Sequence, residues 1–156
     1  MQSFDFQPTT RVIFDEQSLD QLGELAAELG GGHILIVTDP GIVKVGIVEQ
    51  AVRSLKEASL NSSVFEDTEE NPTTRHVEAG VRFAKTQGEV DLIVGLGGGS
   101  AMDCAKGINF ILTNGGVMED YLGMGKAARP MLPSIGIPTT AGTGSEAQSY
   151  ALIAQG

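Results

Sequence analysis

Tryptophan is absent from this chain of 156 residues, and cysteine and histidine are nearly so, with one Cys and two His. The lone Cys104 excludes an intramolecular disulfide, and no Cys/His spacing resembles a structural zinc site. Aromatic residues make up only 5%, too few for a protein that works by stacking bases or gripping large apolar partners. Basic residues are also scarce, ten against twenty acidic, for a formal net charge of −10. Nucleic-acid binding needs a cationic surface that displaces counterions from phosphates, so this balance opposes it. It disfavours an anionic membrane surface for the same reason. Long apolar runs are missing too: stretches such as Ile34 to Val37 are far too short to span a bilayer. Met1 to Thr10 has no basic segment followed by an apolar one, as a secretory signal would. A soluble protein of a reducing, cytoplasmic compartment is expected.

What the chain does have is glycine, 21 residues of it, and a hydrophobic fraction of 41% that can bury a sizeable core. The length is that of one domain. Thr10 to Phe14 alternates weakly and reads as a short strand that needs another edge to pair with. Ser18 offers a helix N-cap, Leu19, Leu22, Leu25, Ala26 and Leu29 recur at helical spacing, and Gly30-Gly31-Gly32 ends the helix. His33 to Thr38 is a continuous apolar run, as expected of a strand covered on both faces, and Asp39-Pro40-Gly41 breaks it. A second helical stripe comprises Ile47, Val48, Ala51, Val52 and Leu55. Asn61 to Phe65 is a weaker strand, followed by an acidic stretch, Glu66 to Glu70, that reads as solvated loop. Asn71-Pro72-Thr73 turns the chain into a third helix through Lys85. Asp91 to Leu96 is the clearest buried strand and runs through Gly97-Gly98-Gly99-Ser100 into a fourth helix with Ala101, Ala105, Ile108 and Ile111. Ser134 to Pro138 is another short strand, and Thr139 to Glu146 a second glycine-containing turn.

Strands alternating with helices imply an α/β, Rossmann-like, doubly wound and mostly parallel sheet with helices on both faces. Ligands of such sheets collect outside the carboxyl ends of the strands. Asp39, Gly97 to Ser100 and Thr139 to Thr143 each follow a strand directly, so residues far apart in sequence are expected along one edge.

Consecutive glycines between a buried strand and a helix let the backbone approach a ligand with no Cβ in the way. Their N–H groups, with the positive end of the helix, suit a pyrophosphate, and the Ser100 hydroxyl adds a donor or caps the helix. The turn has neither the G-x-G-x-x-G spacing nor the Lys-Ser/Thr of a P-loop. Three glycines alone also fit a plain tight turn; their place after the strongest strand favours phosphate. In the second turn, Thr143-x-x-Glu146 fits a helix capping box. Capping leaves Thr139, Thr140 and two glycines unexplained, and several small hydroxyls on an open backbone suit the wall of a ribose or phosphate site.

Taken together, Gly97-Gly-Gly-Ser-Ala-Met-Asp-Cys-Ala-Lys106 and Ile137-Pro-Thr-Thr-Ala-Gly-Thr-Gly-Ser-Glu146 resemble the iron-containing alcohol dehydrogenases. Val37-Thr-Asp39, Asn71-Pro-Thr73 and the distances between the blocks fit as well, so the resemblance covers essentially the whole chain. The second block is the more specific, since glycerol dehydrogenases and dehydroquinate synthases share a similar glycine turn.

The resemblance implies that residues 1–156 are a nucleotide-binding domain preceding an all-helical metal-binding domain that this chain lacks. Such enzymes interconvert alcohols and aldehydes or ketones with NAD or NADP, and a divalent metal, Fe²⁺ or Zn²⁺, polarises the substrate oxygen. It implies that Gly97, Gly98, Gly99 and Ser100 hold the pyrophosphate, and that Thr139, Thr140 and Thr143 line the adenosine and phosphate side. Asp39 would meet the adenosine ribose, where a carboxylate accepts from the hydroxyls and repels a 2′-phosphate, so NAD is expected over NADP. Asn71 lies near the same ribose or is only a turn former. Gln148 falls near the nicotinamide, where the family often has Val-Thr after Ser-Glu and this chain has Ala147-Gln148. Asp103 and Lys106 fit a role in stabilising the turn, and Cys104 one in burial against the sheet. Neither His33 nor His76 forms a ligand cluster. No residue is assigned as a catalytic acid or base or as a metal ligand, and the chain alone is expected to be inactive. Two other readings stay open: a glycerol dehydrogenase or dehydroquinate synthase relative, and a standalone nucleotide-binding module without turnover. Assembly into a homo-oligomer is compatible with all three.

Overall fold

The computed structural model describes residues 10–123 and 125–156. Among them, four strands form one parallel sheet in the order β2-β1-β3-β4, with β1 at His33–Val37, β2 at Asn61–Phe65, β3 at Leu92–Gly97 and β4 at Ser134–Pro138. Register runs from Ile34 opposite Leu92 to Val37 opposite Gly95, and from Ile93 opposite Ser134 to Gly97 opposite Pro138. All four strands therefore end at the same edge of the sheet.

The continuous apolar runs have a direct cause. Successive strand residues point to opposite faces, so a strand covered on both sides needs apolar residues throughout. Ile34 and Ile36 pack with Leu92, Val94 and Leu96 under α1 (Leu22–Glu28) and α3 (Ile47–Glu57). Leu35, Val37 and Ile93 face the other way, under α4 (Thr74–Thr86) and α5 (Gly99–Asn114). Burying each such side chain contributes roughly 1.5–3 kcal/mol.

Gly95 brings α5 down onto β3, since a Cβ there would stand 3.0 Å from Met102 Cα. From α5, two asparagines hold the approach to β4 by imitating a strand's hydrogen bonding. Asn109 donates to Leu132 O at 2.9 Å and accepts from Leu132 N at 2.9 Å. Asn114 accepts from Arg129 N at 2.7 Å and donates to Arg129 O at 3.3 Å.

Four local expectations change. Thr10 to Phe14 forms no strand: among the described residues no edge bonds to it, Val12 and Phe14 are 76% and 99% exposed, and Arg11 instead donates to both carboxylate oxygens of Glu28. Ser18 opens a short 3-10 turn, Ser18–Gln21, rather than capping an α-helix, and α1 begins only at Leu22. Asp39-Pro40-Gly41 ends β1 but also starts a one-turn helix, α2 (Pro40–Lys44). Thr143-x-x-Glu146 caps nothing, because residues 145–147 form a turn with no helix behind it, and Gly142 and Gly144 take φ of 94° and 69°.

Candidate functional site

The four loops that leave the sheet meet around the N-terminus of α5. Among the described residues, no acceptor pairs with the N–H groups of Gly98, Gly99 and Ser100, whereas the next two, on Ala101 and Met102, both bond to Gly98 O. Three free donors at the positive end of a sixteen-residue helix are an arrangement suited to an anion. Ser100 does not cap its own helix, whose N-cap is Gly98.

Each residue of the turn has a neighbour from one of the other three loops. A Cβ on Gly97 would lie 3.1 Å from Asp39 Oδ2, and one on Gly98 would lie 3.5 Å from Thr140 Oγ1. One on Gly99 would press on Thr143 Cβ at 3.2 Å and Ser145 Oγ at 3.1 Å. Ser100 Oγ accepts the Asn71 N–H at 3.2 Å, with Asn71 held at φ 56° in the left-handed region. Glycine at 97 is further required by its φ of 147°. The structure thus gathers Asp39, Asn71, Gly97, Gly98, Gly99, Ser100, Thr140 and Thr143 at one edge. Thr139 joins them by donating its N–H to Gly97 O at 2.9 Å. Gln148 sits at the outer end of the second turn, its Nε2 donating to Thr143 O at 3.2 Å.

Asp39 is only half free. Its Oδ1 accepts from Gly41 N at 2.9 Å and Ile42 N at 3.1 Å, which caps α2. The other oxygen is the one beside Gly97. One carboxylate can therefore brace the loop and still offer an acceptor to a ligand in the cleft.

Three features were not visible in the sequence. Ser145 is buried against Gly99, although its neighbours Gly144 and Glu146 are not. Thr38 and Thr68 bury their hydroxyls without a nitrogen or oxygen partner among the described residues, Thr68 in the middle of the acidic stretch expected to be solvated. The hydroxyl of Thr68 neighbours the Cys104 thiol. Burial pushes that thiol up to about 11, Thr68 pulls it down, and the charge of Asp103 pushes it up again. Such a thiol is protonated at neutral pH and is not a nucleophile. Third, Lys106 reaches Asp103 Oδ1 at 3.4 Å and donates to Tyr150 O at 2.9 Å, tying the second turn's exit to α5. Alternation and turn chemistry carry no signal for such long-range pairings.

The edge fits a dinucleotide: free N–H groups for a pyrophosphate, a cradle that Cβ atoms would fill, and a carboxylate and hydroxyls around it. It does not fit a metal, since no three His, Cys, Asp or Glu among the described residues gather to hold one. No described helix is long and apolar enough to cross a membrane.

Residues 8–156 match the sequence profile of iron-containing alcohol dehydrogenases. The chain belongs to that family. Alcohol dehydrogenase 4 of Schizosaccharomyces pombe is 43% identical over 143 residues, covering 92% of this chain and 34% of its own length. The NAD-dependent methanol dehydrogenase of Bacillus methanolicus is 36% identical over 95% of this chain and 38% of its own. Among solved structures, the sulfoacetaldehyde reductase of Bifidobacterium kashiwanohense in complex with NAD⁺ superposes with a TM-score of 0.80 at 32% identity. That match covers 95% of this chain and 39% of that one. A 1,3-propanediol oxidoreductase gives 0.85 at 35% identity, over 93% and 38%. This member of the iron-containing alcohol dehydrogenase family thus spans little more than a third of the length of these relatives.

Proposed function

We propose that this chain binds NAD(H) across the carboxyl edge of its sheet and serves as the cofactor-binding domain of a metal-dependent alcohol dehydrogenase. The observation that carries the reading is the trio of unpaired N–H groups at Gly98, Gly99 and Ser100, ringed by Asp39, Asn71, Thr140 and Thr143. The pyrophosphate lies on the trio, where the helix dipole and three donors replace its water. Asp39 Oδ2 accepts from the adenosine ribose, which favours NAD over NADP, and Asn71 closes the same side. Thr139, Thr140 and Thr143 line the phosphate wall, and Gln148 stands towards the nicotinamide.

When bound, the dinucleotide supplies the hydride acceptor or donor. The residues of this chain hold it, orient it and give it a dry floor of β3 and α5. We place the metal, Fe²⁺ or Zn²⁺, and the alcohol pocket in a separate all-helical domain, so no residue of this chain is given a step through the metal. Relatives are named for methanol, 1,3-propanediol, long-chain alcohols and choline, a range that leaves the substrate as an alcohol or its carbonyl product.

Calorimetric titration with NADH tests the reading. Binding is expected to be weak, because the phosphate cradle is local while exposed rim residues such as Thr139 and Thr140 leave one side open to water. Absence of heat and of any amide chemical-shift change at about millimolar NADH, the weakest range in which a specific site is read, would remove the cofactor assignment.

A further inference from the structure

We infer that His76 is a positioning residue for the Asn71 side of the cleft, holding the Asn71–Thr73 turn through an unprotonated ring nitrogen. The inference rests on the cofactor reading for its consequence, though not for its geometry.

Helix α4 starts with Thr73 at its N-cap and His76 three residues on. That third position usually carries Glu or Gln, whose side chain accepts the N-cap N–H. Here the imidazole does so: Thr73 N–H donates to His76 Nδ1 at 3.0 Å, with Thr73 Oγ1 also 3.0 Å from that nitrogen. An N–H donor needs a lone pair, so Nδ1 carries no proton and the neutral ring bears its hydrogen on Nε2. Nε2 faces Glu69 Oε2 at 3.7 Å. The ring thus spans the loop, with Glu69 before Asn71 and Thr73 after it.

The connection to the cleft is two residues long. Pro72 is buried and has a fixed φ, and Asn71 is held in the left-handed region with its N–H on Ser100 Oγ at 3.2 Å. There is little slack between Thr73 and Ser100 to absorb a change at the cap. The outer contacts of this turn, Thr74 N–H to Ala154 O and Ala154 N–H to Pro72 O, leave the Thr73 N–H to the imidazole.

Protonation turns Nδ1 from acceptor into donor. It can then bond only to Thr73 Oγ1, and the Thr73 N–H loses its acceptor. The charged ring gains attraction to Glu69, but that carboxylate is 79% exposed and 3.7 Å away, so solvent screens most of the gain. The lost cap decides the sign. Other charges near the turn do not compete. Glu78 pairs with Arg82 along α4, Asp103 and Lys106 on α5 pair with each other, and exposed Arg75 is itself a cation and offers the charged ring no counter-charge.

The test compares the wild-type chain with His76→Gln, whose amide oxygen accepts the Thr73 N–H at any pH. NADH affinity is measured from about pH 8 to about pH 5.5, which brackets the ordinary imidazole range. Wild type is expected to lose about fivefold more affinity than His76→Gln over this span, the ratio that a helix cap of ordinary strength supports. His33, on the Ser63 hydroxyl, is common to both proteins and cancels. In parallel, without cofactor, the Asn71 and Thr73 amide resonances of the wild-type chain are followed against the His76 ring. They should move with the ring's own midpoint. Parallel affinity profiles for the two proteins, or amides that ignore the ring's titration, overturn the inference. Failure of NADH to bind at any pH defeats the cofactor reading alone, and the amide titration still decides whether His76 clamps the turn.

Discussion

Asp39 divides one carboxylate between two tasks, and its substitutions can be chosen to separate them. Oδ1 caps α2 through Gly41 and Ile42, while Oδ2 faces Gly97 and the cleft. Asp39→Gly would remove both functions at once. Asp39→Asn keeps an oxygen for the cap and removes the charge, so stability should change by less than about 1 kcal/mol, the usual scale of losing a cap altogether. Binding should change more. A hydrogen bond to a charged group contributes roughly 1.5–3 kcal/mol, so NADH affinity should fall about tenfold or more. NADPH should lose less, because the charge that repels its 2′-phosphate goes with the carboxylate. Titrating both cofactors against both proteins checks this, and equal losses would show that Oδ2 does not face the ribose. The place of Asp39 at the carboxyl edge of the sheet was readable from the sequence, since it directly follows a buried strand. Its capping role was not, because Asp-Pro-Gly reads equally as a chain breaker and as the start of a one-turn helix.

Among the elements, those defined by hydrophobic period were legible and those defined by long-range contact were not. β2 and β4 occupy the expected spans Asn61–Phe65 and Ser134–Pro138. Thr10 to Phe14 has the same local alternation but gains no partner among the described residues, and a strand exists only where another edge accepts its hydrogen bonds. The meeting of α1 with α3 is a second case. Ser54, buried between them, donates to Asp20 O at 2.8 Å and accepts from Gly23 N at 2.9 Å. Gly23 is what allows this approach: a Cβ there would collide with the Ser54 carbonyl oxygen and stand 2.8 Å from Ala58 Cβ. Helix propensity favours Ala over Gly by about 1 kcal/mol. Overpacking against a rigid backbone costs about 1–3 kcal/mol, and the Gly23–Ser54 hydrogen bond goes with it. The clash should win, so Gly23→Ala is expected to destabilise by roughly 1–2 kcal/mol. The midpoint of urea unfolding reads this directly, and a midpoint at or above that of wild type would mean that α1 can slide off α3 at little cost.

At the scale of the whole molecule, the parallel sheet collects main-chain donors and hydroxyls at one edge and supplies little else there. Every loop that leaves a strand passes the α5 N-terminus, so the edge is dense in N–H groups and hydroxyls, and the described residues gather no metal-ligand set there. His76 is committed to the α4 cap and His33 to Ser63 on β2, and Cys104 is buried and protonated near pH 7. The Asp39 carboxylate braces α2. A catalytic divalent ion needs about three protein ligands in fixed geometry with a position left open for substrate, and the described residues gather no such set. The rim residues Thr139, Thr140 and Thr143 are exposed, so water reaches the place where an alcohol would have to sit. In the proposed division of labour a metal polarises the substrate oxygen and a wall excludes water, and this edge supplies neither. The 156-residue chain is therefore expected to bind NAD⁺ without reducing it, whichever of Fe²⁺ or Zn²⁺ is supplied. Absorbance of NADH, followed with small primary alcohols, diols and glycerol over a metal series, measures this. Metal-dependent turnover that rises with protein concentration and disappears with a chelator would mean that this edge assembles a metal site from residues assigned here to structure. His76 and Asp39 would then be the first to substitute.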